Sequence, residues 1–178
     1  MLFRTEHLAV VPAEQDLIEQ IDTANSKYPD SVDYSYVLSR VSSTHPEVNT
    51  EDLEKILAFT RSQITAENEV FAVVLRENGK IIGYFQVLNQ SSKTPSIGIG
   101  LLHDYQHLGY GTELLHAAVD TFRCVKKYTE LKCHVWAANA ASIGMIEKAG
   151  GALDKPEFEH QHLRSEEHTS ELQSRITI

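Results

Sequence analysis

The chain has 178 residues, 42% of them hydrophobic, and a formal net charge of −9. That is enough apolar material for one globular domain with a buried core, and the acidic balance argues against general nucleic-acid binding, which needs basic surface. No run is long and apolar enough to span a bilayer, and no N-terminal signal pattern is present, so no membrane partner is expected.

In chain order, Leu2 to Val11 reads as a first strand, ended by Pro12. Ala13 to Ala24 reads as a helix with Leu17, Ile18 and Ile21 on one face. Tyr28-Pro29-Asp30-Ser31 is a turn, Asp33 to Val41 a second short helix, and Ser42 to Asn49 a loop. Thr50 is a good N-cap, with Glu51, Asp52 and Glu54 behind it, for a helix that runs to about Ile64. Val70 to Leu75 and Ile81 to Leu88 are strands joined through Asn78-Gly79, a strong hairpin signal.

After a polar loop from Asn89 to Pro95, Ile97 to Leu102 reads as a strand. A helix opens at Gly109 with Leu115, Ala118, Phe122 and Val125 along one stripe. Leu131 to Trp136 is a strand, and Asn139 to Lys148 a helix capped by Gly150-Gly151. Ala152 to Phe158 is a last strand, weakened by Pro156. A hairpin followed by two strand-helix units predicts a mixed α/β fold, one twisted sheet with helices on both faces.

The stretch from Ile97 to Thr112 carries the chemistry. A strand, a short turn and a helix N-terminus make an anion site, because the first helical amides lack intrahelical partners and the macrodipole is positive there. Gly109 and Gly111 would let a phosphate approach the backbone. A dinucleotide fingerprint fails because residue 114 is Leu where a third glycine is needed, and no Gly-Lys-Ser/Thr of a P-loop is present.

Gln106-x-x-Gly109-x-Gly111 resembles the Arg/Gln-x-x-Gly-x-Gly/Ala signature of the Gcn5-related N-acetyltransferases. Asn139-Ala-Ala-Ser142-Ile143, running on to Glu147-Lys148-Ala-Gly150, is similar to that family's second coenzyme segment. The resemblance covers about residues 3 to 160 and is nearest the branch of ribosomal-protein N-terminal acetyltransferases. It implies a single-domain acyl-CoA N-acyltransferase fold and acetyl-CoA as co-substrate, without a metal. The acceptor it implies is a primary amine, on a small molecule or a peptide N-terminus, with which the acidic charge is compatible.

Carried onto this chain, the family pattern sets the pantetheine arm along Leu101 and Leu102. It sets the pyrophosphate over the amides of His107, Leu108, Gly109, Tyr110, Gly111 and Thr112, with Gln106 orienting the loop and Asn139 on the far wall. The family's frequent tyrosine acid falls at Ile146, so Ser142 is the candidate proton donor to sulfur, unless it is an ordinary helix-start serine. His134, read as half-buried near the cleft, is the candidate base, or a structural histidine. His103, Asp104 and Tyr105 are weaker candidates. A non-catalytic acyl-CoA-binding module and a nucleotide-binding regulatory domain are the competing readings.

Trp136, Phe71, Phe85 and Tyr84 read as core or as lining of an acceptor pocket, and His160, His162 and His168 as a weak metal set on a polar terminus. Cys124 and Cys133 show no metal spacing and are expected to be free thiols, which fits a reduced cytoplasmic setting, with the protein a monomer or homodimer. Arg164 to Ser174 resembles the translation of a common sequencing adapter. On that reading the domain is residues 1–163, residues 164–178 are a non-native tail, and the family's last strand is lost but for a short piece from Arg175.

Overall fold

A computed structural model describes residues 1–14, 16–28, 67–136, 139–153 and 171–177; for Trp136, Leu153 and 171–177 it describes the backbone only. Eight strands form one sheet: β1 (Phe3–Arg4), β2 (Leu8–Pro12), β3 (Glu69–Leu75), β4 (Ile81–Leu88), β5 (Ser96–Leu101), β6 (Glu130–Trp136), β7 (Ala152–Leu153) and β8 (Glu171–Thr177). Among the described residues the helices are α1 (Leu17–Asn25), α2 (Tyr110–Cys124) and α3 (Ala140–Lys148). The strand order is β1-β2-β3-β4-β5-β6-β8-β7, antiparallel throughout except for the β5–β6 pair. The mixed α/β architecture is the one the sequence predicts.

The first predicted strand is in fact a hairpin. Thr5-Glu6-His7 cannot continue a half-buried strand, and the Thr5 hydroxyl instead accepts the Leu8 amide at 2.8 Å. Helix α1 begins at Leu17, four residues after the expected start, and buries Leu17, Ile18, Ile21, Asp22 and Asn25 on one stripe. The helices expected over 33–41 and 50–64 lie outside the described residues. The Asn78-Gly79 hairpin forms as predicted, with Gly79 at φ +72° and the Asn78 side chain accepting the Lys80 amide at 2.9 Å.

The core lies between the sheet and α2 and α3. Phe85 on β4 is fully buried, with the rings of Phe3, Phe71 and Phe122 5.8, 6.3 and 6.3 Å away. Leu114, Leu115, Ala118 and Phe122 form the buried stripe of α2. Val125, expected to extend that stripe, caps the helix and is 70% exposed. On the opposite face, α1 packs Leu17 and Ile21 against Ala72, Tyr84 and Leu102.

Where the sequence leaves a short strand from Arg175, the structure has β8, which starts at Glu171 and runs between β6 and β7. Each residue from Glu130 to Trp136 is opposite one of Thr177 to Glu171. The polar residues of this stretch argued against a central strand, but ladder pairing joins backbone groups, which every non-proline residue supplies. Amides across 171–177 are therefore expected to resist hydrogen exchange. Truncation after Leu163 is expected to cost at least about 2 kcal/mol by uncovering β6, a fall in Tm of roughly 4–8 °C. Unprotected amides and an unchanged Tm would show that β8 contributes nothing to the fold.

Candidate active site

Strands β5 and β6 share one paired position, Ser96 opposite Lys132, where the Lys132 amide donates to the Pro95 carbonyl at 3.0 Å. Beyond it they part. At the other edge the Leu102 amide donates to the Ile82 carbonyl of β4 at 2.8 Å. Peptide groups alternate sides along a strand. Ser96, Gly98 and Gly100 therefore turn theirs toward β4, and Ile97, Ile99 and Leu101 turn theirs toward β6 and the opening. Of the two residues singled out from the sequence, Leu101 presents its backbone to the opening and Leu102 spends its amide on β4. Ile99, which the sequence reading passed over, shares the edge with Leu101.

The Leu101 carbonyl is held by two side-chain amides, Asn25 Nδ2 and Gln106 Nε2, each at 3.1 Å. Asn25, only 2% exposed, also accepts the His103 amide at 2.9 Å through Oδ1. It thus joins the end of α1 to the peptide groups on either side of Leu102. Tyr28 reinforces this junction by stacking on His103, with ring centroids 4.0 Å apart and planes 7° apart. In the sequence Asn25 reads only as a residue that stops a helix, so this role left no signal there.

A 3-10 turn, His103–Tyr105, leads into the signature loop. His107 (φ +60°) and Gly109 (φ +90°) take left-handed conformations, and α2 begins at Tyr110. Glu113 is the first residue whose amide reaches back to the helix, at the Gly109 carbonyl (3.0 Å), so the amides of Tyr110, Gly111 and Thr112 precede any intrahelical acceptor. His107 and Leu108 are exposed at the loop's apex.

The two glycines do different work. A Cβ on Gly109 would meet nothing within 4 Å, so its demand is the positive φ. A Cβ on Gly111 would lie 3.1 Å from Met145 Sδ of α3 and 3.8 Å from Leu101 Cδ1, so this glycine lets α2 pack closely on α3.

The first turn of α2 is anchored from the side. Glu113 accepts the His7 amide at 2.9 Å through Oε1, and its Oε2 lies 2.9 Å from His7 Nδ1. Arg76 donates to the carbonyls of Thr5 and Glu6 at 2.6 and 2.8 Å, which fixes the turn that carries His7. Partial burial pushes the Glu113 pKa up. Hydrogen bonds from Thr5 and His7, with the charge on His7, outweigh it and hold the carboxyl below its ordinary range.

Across the opening, Asn139 caps α3. It is 4% exposed, and its Oδ1 accepts the Ser142 amide at 2.9 Å. Ser142 is half-buried in the first turn, and Ile146 is buried in the core. On β6, Leu131, Cys133 and Val135 face α2, so His134 faces the other side of the sheet, where it is exposed rather than half-buried as expected. Both cysteines are free, and burial pushes the Cys133 thiol up to about 12. The aromatic set read as one group divides: Phe71 and Phe85 belong to the core, and Tyr84 is half-buried on the α1 face. His160, His162 and His168 lie outside the described residues. Among the described residues no three His, Cys, Asp or Glu side chains are gathered as a metal set, and no helix is long and apolar enough to cross a membrane.

A sheet that splits at a parallel pair, with a glycine-led helix N-terminus at the mouth, is the frame of an acyl-CoA-dependent acyltransferase. Residues 35–151, more than half of the chain, match the acetyltransferase (GNAT) family, and the chain belongs to it. No curated protein sequence matches the chain.

Solved structures share the fold. An acetyltransferase (GNAT family) from Bacillus anthracis superposes with a TM-score of 0.67 at 19% identity, covering 98% of this chain and 96% of its own. Spermidine N-acetyltransferase from Vibrio cholerae, in complex with CoA and spermine, gives 0.64 at 13%, covering 97% and 96%. RimL, a ribosomal L7/L12 alpha-N-protein acetyltransferase in complex with coenzyme A, gives 0.66 at 14%, covering 99% and 97%.

The Glu113 anchor has a pH signature. Because the folded-state pKa is lowered, the stabilisation is complete above the ordinary glutamate value of about 4.5 and is lost as pH falls through the depressed value. Glu113→Gln is expected to cost about 1 kcal/mol at neutral pH, a difference that shrinks toward zero in acid. Denaturant melts of both proteins at several pH values check this, and a difference that does not change with pH contradicts it.

Proposed function

We propose that the protein transfers the acetyl group of acetyl-CoA to a primary amine by direct attack, the acceptor being a peptide N-terminus or a small-molecule amine. The observation that carries this reading is the parting of β5 from β6 beside the unpartnered first amides of α2. The acceptors named for the similar folds, spermidine and a ribosomal-protein N-terminus, span the two amine types. The setting is cytoplasmic, and the protein works as a monomer or homodimer.

The residues fit the coenzyme's chemistry. When bound, acetyl-CoA supplies an activated thioester. The backbone of Ile99 and the amide of Leu101, whose carbonyl Asn25 and Gln106 already hold, offer the edge of a strand to an amide-bearing arm. The amides of Tyr110, Gly111 and Thr112, with the loop of His107, Leu108 and Gly109, hold the pyrophosphate. Gln106 keeps that loop on the strand end through the Leu101 carbonyl. Asn139 fixes the start of α3 on the far lip, and with it Ser142, whose hydroxyl relays a proton to the departing sulfur, taking one from water as it gives its own. His134 accepts the amine's proton through water.

Direct attack is favoured over an acyl-enzyme because neither cysteine suits a nucleophile. Cys133 is buried and protonated. Cys124 sits at the far end of the 15-residue α2, about 20 Å from its first turn.

Release of free thiol from acetyl-CoA in the presence of an amine panel tests this reading, and coenzyme binding without thiol release would mark a non-catalytic binding module instead. Two variants divide the work. Gly109→Val forces a β-branched residue to φ +90° and is expected to weaken coenzyme A binding about tenfold or more, roughly 1.4 kcal/mol. Unchanged affinity in the folded variant, measured by calorimetry, removes the loop from the coenzyme site. Ser142→Ala is expected to lower kcat by about 100-fold with acetyl-CoA affinity intact. If only stability falls, Ser142 is a helix-start serine and nothing more.

A further inference from the structure

Strand β5 places glycine at two of its three positions on the α1 face, Gly98 and Gly100, with Ser96 the third. The partners of the two glycines on β4 are Gln86 and Tyr84. A Cβ on Gly100 would lie 2.3 Å from Tyr84 Cε1, 2.4 Å from Cζ and 2.8 Å from Oη. A Cβ on Gly98 would lie 2.4 Å from Gln86 Nε2 and 3.0 Å from Cδ. Both long side chains therefore lie flat across β5, one strand spacing (about 4.8 Å) from their own backbone, with their polar ends over the strand that borders the opening. Any side chain on Gly98 or Gly100 would lift them off. Tyr84 is backed by Leu17 and Ile21 of α1, and both Tyr84 and Gln86 stay half-exposed. On β6, Lys132 at the last position paired with β5 and His134 beyond it, where the strands have parted, alternate onto this same face.

We propose that Tyr84 and Gln86, laid over Gly100 and Gly98, form the floor on which the acceptor amine is positioned. This rests on the acetyl-transfer reading and adds the acceptor's place and class to it. The floor offers a phenolic oxygen and an amide carbonyl, both of which accept hydrogen bonds from an amine's N–H groups. It carries no formal charge, so it gives a second ammonium no counter-charge. A singly charged amine, such as a peptide N-terminus, suits this floor; a polyamine does not.

The test uses the full chain and two readouts. Coenzyme A affinity is measured by calorimetry. Acceptor kinetics are measured by thiol release with a set of short peptides and with spermidine. Tyr84→Phe keeps the ring and removes the hydroxyl, and Gln86→Ala clears Gly98. Each is expected to raise KM for the peptide about tenfold while coenzyme affinity stays within twofold. Gly100→Ala, which displaces the ring, is expected to do the same or more. Wild-type protein is expected to prefer a peptide to spermidine. Unchanged acceptor KM in Tyr84→Phe and Gln86→Ala overturns the floor while leaving acetyl transfer standing. A preference for spermidine overturns the acceptor class. Coenzyme binding with no turnover of any amine overturns the acetyl-transfer reading, and the floor with it.

Discussion

Peptide groups taken out of water need partners, and a strand that leaves its neighbour gives up one partner per residue on that edge. Strand β5 leaves β6 after Ser96, so its edge from Ile97 to Leu101 must find other acceptors and donors or stay open to solvent or ligand. The chain fills the last position itself: Asn25 and Gln106 both donate to the Leu101 carbonyl, and Asn25 takes the His103 amide as well. A side-chain amide carries the same donor and acceptor pair as a peptide, so Asn25 stands in for a missing neighbour residue. Each such bond is worth about 1 kcal/mol net, but leaving a buried partner unmet costs about 1–3 kcal/mol. The clamp matters more for what it prevents than for what it adds.

The elements at the mouth of the opening are held separately and from different directions. Glu113 and His7 fix α2 to the β1–β2 turn, Gly111 lets α2 close on Met145 of α3, and Asn139 starts α3. None of these contacts lies on the edge formed by Ile99 and Leu101. That separation lets a split sheet stay rigid without closing. A helix N-terminus tethered only by its own loop would be free to fray, and its amides would lose the fixed geometry on which anion binding depends.

The parts of this design that were legible in the sequence are the local ones. Asn78-Gly79 dictates its turn whatever the rest of the chain does, and the glycine pair marks where α2 opens. The buried stripe of α2 follows from period alone, apart from Val125 at the frayed end. What stayed hidden depends on partners distant in sequence. Asn25 is 76 residues from the carbonyl it caps, and Glu113 is 106 residues from His7. Which of Leu101 and Leu102 faces the opening is fixed by a hydrogen bond to Ile82 that no pattern announces. Strand β8 is longer than the piece from Arg175 for a related reason: its composition is poor for a central strand, and only the waiting edges of β6 and β7 give it a place.

The distribution of charge around the opening bears on the chemistry. Ile97, Ile99 and Leu101 put no carboxylate on the edge of β5, and the buried Cys133 thiol, up to about 12, keeps its proton. No described residue of that edge can therefore take a proton directly from an attacking amine. His134 is exposed, so a proton that reaches it passes through solvent-connected water rather than along a buried relay. With no described base on that edge, the amine's protonation is left to its own pKa. An α-amino group, with an unperturbed pKa near 8, offers far more neutral amine at physiological pH than an alkyl ammonium near 10.4. On the proposed reading this favours a peptide N-terminus over a polyamine, a preference that the proposed floor of Tyr84 and Gln86 reaches by a separate route.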